Sequence, residues 1–313
     1  MTVFVGAETF SWPQSGTAVT IGTFDGVHLG HRALIARTVA AARDQGLVSV
    51  GITWDRHPLM TLRPDAAPRL LSSLERKIEL LQGTGLDHIV VVEFTEEFSH
   101  WSPERFVQDI LVRSLNARAV FVGEGWRFGH KRAGDIDLLK KLGEESGFTA
   151  EPVDLAAEGD MPVSSTRIRE AIAAGQVAEA LELLGRRFDV DGEVVHGDDR
   201  GASLGFPTAN LELDPRLSHP ARGVYACRAR VDGSWFAAAT NVGVNPTFGG
   251  DPEITPVRIE TFLLGFEGDL YGRTIRVEFW ARLRDEMKFT SVDDLITQMK
   301  RDVEATKELV SNS

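Results

Sequence analysis

The sequence predicts two folds in series, an α/β doubly wound parallel sheet followed by a compact β-barrel with a C-terminal helix. Strand-length apolar runs alternate with helical patterns up to Gly185, which is the rhythm of successive βα units. Beyond it the period shortens to strands set apart by Gly and Asp turns. With 313 residues the chain is also longer than one core usually grows, so two domains, 1–185 and 186–313, are expected.

The first strand is the apolar run 18–21, followed by GTFDGVHLGH at 22–31. Residues 33–43 carry Leu34, Ile35 and Val39 at helical spacing, with Gly46 placed to end the helix as a left-handed cap. Residues 48–54 read as a buried strand, and the proline-broken segment 55–68 as a long loop. Ser72 and Glu75 make a capping box, S-x-x-E, for a helix running to about Gln82. Residues 89–94 form the next strand; Ser102 with Pro103 opens a helix to about Leu115. A fourth strand at 117–123, a helix at 135–145 and a fifth strand at 148–153 complete the sheet, with right-handed crossovers. The helical pattern resumes after Arg169 and lasts through Leu184.

In the second half, strands are expected near 190–195, 223–231, 234–242, 257–264 and 274–280. Asp232 with Gly233 is a hairpin signal between two alternating runs. Six or so such strands make a compact barrel. The last helix carries Val292, Leu295, Ile296, Met299 and Val303 on one face, with Ser291 as its cap.

Composition narrows the function. The 42% apolar and 26% charged content is that of an ordinary globular protein. The formal net charge is −12, and both halves are acidic, 18 basic against 25 acidic residues before Gly185 and 16 against 21 after it. Neither half carries the positive excess of a nucleic-acid binder, so anionic substrates must be held by local groups. A lone Cys227 cannot form an internal disulfide and reads as a small buried apolar residue. With no leader-like segment and no run of membrane-spanning length, a cytoplasmic protein without a membrane partner is expected; the oligomeric state is left open.

In an open parallel sheet, the handover from strand to helix lies at the carboxyl end of the strands. There a helix amino terminus offers unpaired N–H groups to an anion. His28 and His31, three apart, project from one face of the first turn, so both rings can donate to one phosphoryl group. An HxGH tetrapeptide alone recurs by chance, but the longer string says more. GTFDGVHLGH after a strand resembles the signature of the HxGH nucleotidyltransferases, and in full that of the bacterial riboflavin kinase and FAD synthetase family. The resemblance implies adenylyl transfer from ATP to FMN, with His28 and His31 stabilising the transferring phosphoryl group and Gly22, Thr23, Phe24 and Gly30 lining ATP. VSSTRIR at 163–169 is similar to the family segment that grips ATP phosphates, which assigns Ser164, Thr166 and Arg169. By residues alone it is equally a capped helix with exposed arginines.

FVGEGWRFGHKRAG at 121–134 resembles the family's aromatic loop and implies flavin contact by Trp126. His57, in the loop after the second strand, is a further flavin-contact candidate, because loops at that end of a parallel sheet hold substrates, or it lies in a surface connection. In the aromatic loop the chain departs from the pattern: Asn or Asp followed by Phe is usual where it has Gly125 and Trp126. Backbone or water must then substitute for a side-chain contact.

The string 192–213, GEVVHGDDRGASLGFPTANLEL, resembles the riboflavin kinase signature. It implies ATP contact by Gly201, Gly205, Pro207 and Thr208, flavin contact by Phe206, and Mg2+ held with ATP by Thr208 and Asn210, two neutral oxygens on one strand face. The match continues through Asn245, Pro246, Thr247 and Phe248, through Asp269 to Gly272, and through Leu283 to Phe289. Glu260 corresponds to the family's catalytic base for the ribityl 5′ hydroxyl of riboflavin. Arg284 is a flavin contact in this reading, or a local partner of Asp285 or Glu286. Without the family pattern Glu260 is a solvated carboxylate beside Arg258 and Phe262.

The leading expectation is a bifunctional enzyme that makes FMN from riboflavin and FAD from FMN. A kinase that has lost adenylylation is the first alternative, prompted by Gly125; a flavin-binding regulator is the second. An HxGH aminoacyl-tRNA synthetase is disfavoured by the acidic balance and the lack of a KMSKS-like segment.

Overall fold

The computed structural model describes residues 2–6, 14–154, 157–158, 161–197, 204–244 and 257–311. Backbone contacts divide the chain into two compact units, 1–165 and 166–313. The first unit is built on β1 (Thr2–Val5), β2 (Thr17–Ile21), β3 (Val48–Trp54), β4 (His88–Val92), β5 (Ala117–Gly123) and β6 (Thr149–Val153), in the order β1-β4-β3-β2-β5-β6. Every neighbouring pair is parallel. Five of these strands match the expected ones. The sixth, β1, is a four-residue edge strand whose two end residues are exposed, too short to show a period of two in the sequence.

Along β2, Val19 and Ile21 feed one core with Ile52, Val90, Phe106 and Leu111, while Ala18 feeds another with Leu34, Ile35, Leu81 and Ile89. Successive residues of one strand thus enter opposite cores, as a sheet covered by helices on both faces requires. The covering helices are α1 (Leu29–Gln45), α3 (Leu74–Gln82), α5 (Pro103–Phe106), which runs on into π-type turns over Val107–Ser114, and α6 (Ile136–Ser146). Gly46 closes α1 with φ 65°, and Ser102 and Asp135 cap the helices that follow them.

Two local expectations are corrected. The segment 55–68 is not all loop: it contains α2 (Pro58–Leu62), started by Pro58 and by His57 Nδ1, which accepts the Leu59 N–H. The cap of α3 is Ser73, whose hydroxyl accepts the Arg76 N–H at 3.1 Å, so the expected Ser72–Glu75 box does not form. Ser72 Oγ instead accepts the Gly26 N–H. A further short helix, α4 (Glu96–Ser99), precedes α5, and a two-residue antiparallel pair, β7 (Ala157–Glu158) and β8 (Met161–Pro162), precedes α7 (Ser165–Ala173).

The second unit holds α8 (Val177–Leu184) and six strands, β9 (Asp189–Val195), β10 (Ala209–Glu212), β11 (Gly223–Val231), β12 (Ser234–Val244), β13 (Val257–Leu263) and β14 (Thr274–Arg284). They close an antiparallel barrel in the order β10-β13-β12-β11-β14-β9, with β9 pairing back onto β10. Asp232 and Gly233 both take positive φ, 46° and 88°, which suits a tight hairpin turn between β11 and β12. The expected final helix is α9 (Val292–Ser311), with Ser291 Oγ accepting the Asp294 N–H.

The contact boundary precedes Gly185 because α7 and α8 lie against the barrel. Gly175, at φ 76°, is so close to Tyr225 that a Cβ there would sit 2.8 Å from the phenol oxygen. The Ala221 N–H donates to Ile172 O nearby.

Candidate active sites

In the first unit the strand order reverses at β2, with β3 on one side and β5 on the other. Its carboxyl end is therefore the switch-point crevice where open α/β sheets take ligands. Gly22 begins the exit turn and donates its N–H to Ile52 O; a Cβ on it would lie 2.8 Å from the Phe24 ring. Phe24 and Val27 are fully buried non-glycine residues at φ 50° and 43°, conformations that cost free energy and persist only when surroundings enforce them. The enforcing contacts are visible. Asp25 is 4% exposed and both its oxygens accept the Leu71 N–H, at 2.9 and 3.1 Å. Its carbonyl accepts from Ser165 Oγ at 3.2 Å, and Ser72 holds Gly26.

This turn delivers His28 to the amino terminus of α1. There its Nδ1 accepts the His31 N–H at 3.3 Å, which leaves Nε2 as the ring's donor. The two imidazoles stack with centroids 3.6 Å apart, and His31 meets the Phe24 ring edge-on at 5.3 Å. Burial, then the neighbouring His28 and Lys77 charges, hold His31 well below the usual imidazole range. His31 Nδ1 has no hydrogen-bond partner among the described residues. Gly30 is buried within α1. Ser164 and Ser165 close the first unit, whereas Thr166 and Arg169 fall on α7 beyond its boundary. Arg167 pairs with Glu179 on α8, at 3.0 Å.

A cavity of about 620 Å³ opens beside the turn, lined by Thr23, His57, Gly125 and Trp126 among others. Its walls are aromatic: Trp54, Phe94 and Phe98 meet at 5.6–5.8 Å, and Trp126 stacks on Phe128 at 4.7 Å. Arg63, Arg127, Lys131 and Arg132 also line it, and among the described residues no carboxylate does. In a chain of net charge −12 that is a local reversal suited to an anionic aromatic substrate. Gly125 takes φ 72° with open space where a Cβ would point.

In the barrel, Ile259, Thr261 and Leu263 of β13 are buried, and Arg258, Glu260 and Phe262 alternate outward. Outward here does not mean into bulk solvent. Glu260 lines a cavity of about 330 Å³ formed with Phe206, Phe262, Met287, Phe289 and Met299. Strand register places Asn210 of β10 and Asn241 of β12 directly opposite Glu260 on its two sides, so the three share one face. Arg258 Nη1 lies 3.6 Å from Glu260 Oε1. Asn210 is 6% exposed, and its Oδ1 has no hydrogen-bond partner among the described residues, a lone pair free for a hard cation. Thr208 stands just before β10 and is the residue shared between this cavity and a second, of about 200 Å³, lined by Pro207, Leu263, Phe266 and Tyr271. Gly205 takes φ 85° with nothing near a Cβ; Gly201 and residues 245–248 lie outside the described residues.

Arg284 lines the larger barrel cavity, but its guanidinium pairs with Asp302 of α9 at 2.8 Å rather than with the carboxylate of Asp285 or Glu286. Two site residues escaped the sequence reading. Asn241 is marked only by its register. Lys77 is 6% exposed and sits on α3 between Leu74 and Leu81, so a lysine on the apolar stripe was the available signal.

Paired imidazoles at the switch point of one unit and a carboxylate facing an aromatic cleft in the other make two separate candidate sites whose chemistry suits a phosphate-handling transferase. The FAD synthetase family pattern matches residues 11–167 and the riboflavin kinase pattern residues 184–310. Over 291 residues the chain is 38% identical to a bifunctional riboflavin kinase/FMN adenylyltransferase of Escherichia coli strain K12, covering 93% of this chain and 91% of that one. The same-named protein of Pseudomonas fluorescens is 37% identical over 298 residues, covering 95% and 94%. A crystal structure described as a macrolide-efflux protein from Streptococcus pneumoniae is similar at a TM-score of 0.86 and 31% identity, covering 97% and 98%. The chain belongs to the bifunctional riboflavin kinase/FMN adenylyltransferase family. Among the described residues, no helix is long and apolar enough to cross a membrane.

Proposed function

We propose that residues 186–313 phosphorylate riboflavin with ATP, that residues 1–185 transfer the adenylyl group of a second ATP to the FMN so formed, and that the residues above divide the work as follows. The observation that carries this is the presence of both family patterns in one chain, FAD synthetase over residues 11–167 and riboflavin kinase over residues 184–310.

In the barrel, the aromatic cleft takes the isoalloxazine, with Phe206 packing edge-on to Phe262 at 5.4 Å. Glu260 accepts the proton of the ribityl 5′ hydroxyl as that oxygen attacks the γ-phosphorus, and ADP leaves. Its flanking amides, Asn210 and Asn241, fix the face on which that proton is taken. The smaller cavity beyond Thr208 takes the nucleoside, so the phosphates pass Thr208 between the two spaces. Magnesium bound with ATP neutralises phosphate charge. The Thr208 hydroxyl and Asn210 Oδ1 would hold it, since among the described residues no cluster of His, Cys, Asp or Glu is built to do so.

In the sheet, a phosphate oxygen of FMN attacks the α-phosphorus of ATP and pyrophosphate leaves. No covalent bond to the protein is needed, only alignment and stabilisation of the spreading charge. His28 Nε2–H and the His31 ring donate to that phosphoryl group at the start of α1, with Gly22, Thr23, Phe24 and Gly30 shaping the turn. Ser164, Thr166 and Arg169 hold the outer phosphates. His57 and Trp126 flank the flavin in the 620 Å³ cavity. Gly125 leaves open space that water can fill, and its left-handed φ is one that Asn or Asp also tolerates. A cytoplasmic setting and independence from nucleic acid accompany this reading, supported by the lone buried Cys227 and the acidic balance of both halves.

The experiment is to incubate the protein with riboflavin and MgATP and resolve the flavins. FAD is expected. FMN alone would reduce the reading to the kinase, and unchanged riboflavin would leave only flavin binding.

A further inference from the structure

A buried lysine sits under the switch-point turn and has no part in the roles above. Lys77 Nζ donates to Trp54 O, the last residue of β3, at 2.7 Å, and to Thr23 O, in the exit turn of β2, at 3.3 Å. Thr53 Oγ1 adds a third bond, to Thr23 O at 3.1 Å. The two strand ends that border the crevice are therefore joined through one ammonium. Lysine is seldom buried, because desolvating an ammonium is costly unless it is paired or well hydrogen-bonded. The charged groups facing it are Asp25 on the turn, Asp55 at the exit of β3 and His31 on α1. Asp25 also accepts the Leu71 N–H, and Asp55 accepts from Arg56 and from the Phe94 N–H. An apolar residue would serve this place on the α3 stripe at less cost if packing were its only task.

We propose that Lys77 is a positioning residue for adenylyl transfer: its ammonium fastens the turn that carries His28 and His31 to the end of β3 and supplies a fixed positive charge beneath the imidazole pair. This rests on the reading of the first unit as the FMN adenylyltransferase. The bond to Thr23 O sets the height of the Gly22–Phe24 backbone, on which the strained Phe24 and the edge-on Phe24–His31 contact depend. On this reading the charge lies beneath a site where phosphate negative charge builds up, and because Lys77 is buried it acts with little screening. Burial brings the Lys77 ammonium down to about 8, although Asp25 and Asp55 pull it upward. The charge is complete below that pH and fades above it.

The test is steady-state FAD formation from FMN and MgATP by the full chain between pH 6 and 9.5, with riboflavin phosphorylation by the same samples as reference. Lys77→Met is expected to lower kcat by on the order of 10²-fold, as a displaced reacting group does, with each KM within about threefold. Riboflavin phosphorylation should be unchanged. Wild-type kcat should decline above about pH 8. Lys77→Arg, which keeps its charge at any pH in the range, should recover part of kcat and carry that decline to higher pH. A Lys77→Met kcat within about threefold of wild type overturns the proposal. So does a Lys77→Arg profile whose alkaline decline stays in place, and that profile decides alone if Lys77→Met does not fold. Wild type that forms no FAD from FMN refutes the reading of the site itself, a result distinct from wild type forming FAD while Lys77→Met matches it.

Discussion

Removal of the Asp302 carboxylate should loosen the barrel unit and weaken riboflavin binding together. Asp302 is 5% exposed and accepts from Arg284 Nη2 at 2.8 Å, from Arg284 Nε at 3.1 and 3.2 Å, and from Gln298 Nε2 at 2.9 Å. In Asp302→Ala the guanidinium of Arg284, whose side chain is 17% exposed, keeps one hydrogen bond among the described residues, to the Asp285 carbonyl at 3.0 Å, and its contact with the Phe289 ring. Breaking one side of a buried pair costs about 3–5 kcal/mol. The remaining bond and access to the cavity favour the lower end, about 3 kcal/mol. For a unit of about 150 residues that is a fall of about 6–12 °C in Tm. The assay heats the full chain and measures residual riboflavin phosphorylation and residual FMN adenylylation separately; the kinase midpoint should fall while the adenylylation midpoint holds. Because α9 lines the cleft, KM for riboflavin should rise as well. Replacing both partners by apolar residues, Arg284→Met with Asp302→Leu, should restore most of the lost Tm, since a buried ion pair is worth little against well-packed hydrocarbon. An Asp302→Ala protein that melts with wild type, or a double variant no more stable than the single one, would refute the reasoning.

The two activities should separate by mutation. His31→Ala is expected to abolish FAD formation from FMN while sparing FMN formation, and Glu260→Ala to do the reverse with a loss of about 10²–10⁴-fold in kcat; equal loss of both in either variant contradicts the division. Asn210→Leu should raise the Mg2+ concentration needed for half-maximal phosphorylation and leave adenylylation alone, measured by Mg2+ titration of each reaction. Added KCl should raise KM for FMN at the cationic 620 Å³ cavity yet leave KM for uncharged riboflavin at the barrel nearly constant, and parallel salt dependences would count against that assignment. Burial pushes the Cys227 thiol up to about 12, so the native protein should not react with a thiol reagent at pH 8, whereas the unfolded chain should.

The elements that the sequence showed plainly are those whose own residues decide them. β2, β3 and β4 are runs buried almost throughout, and Asp232–Gly233 encodes its turn by backbone preference. What stayed hidden depends on partners far along the chain. β1 exists because β4 offers it an edge; Ser72 loses the cap of α3 to Ser73 because Gly26 claims its hydroxyl. In the sites, the HxGH string and PTAN mark the chemistry because they are contiguous. Lys77 and Asn241 do not, since one is distinguished by which carbonyls it meets and the other by a strand register. Arg284 shows the same limit, as its carboxylate partner comes from a helix that the local sequence does not bring near.

On the proposed assignment the two sites meet the same problem, a polyphosphate in an acidic protein, by opposite means, and the difference follows from what each fold can expose. A parallel sheet ends its strands beside helix amino termini, so the first unit has N–H groups and a dipole to offer and adds two mutually stacked imidazoles. A closed antiparallel barrel has no such termini at its wall. Its strand faces can present only side chains in cross-strand rows, and the row Asn210–Glu260–Asn241 sets a carboxylate between amides next to a neutral hydroxyl at Thr208. A bare carboxylate there would repel ATP, so that site needs a cation brought with its nucleotide more than the first does. The contrast implies that Mg2+ limitation should slow FMN formation before it slows FAD formation from supplied FMN, an order that the parallel titrations of the two reactions read directly.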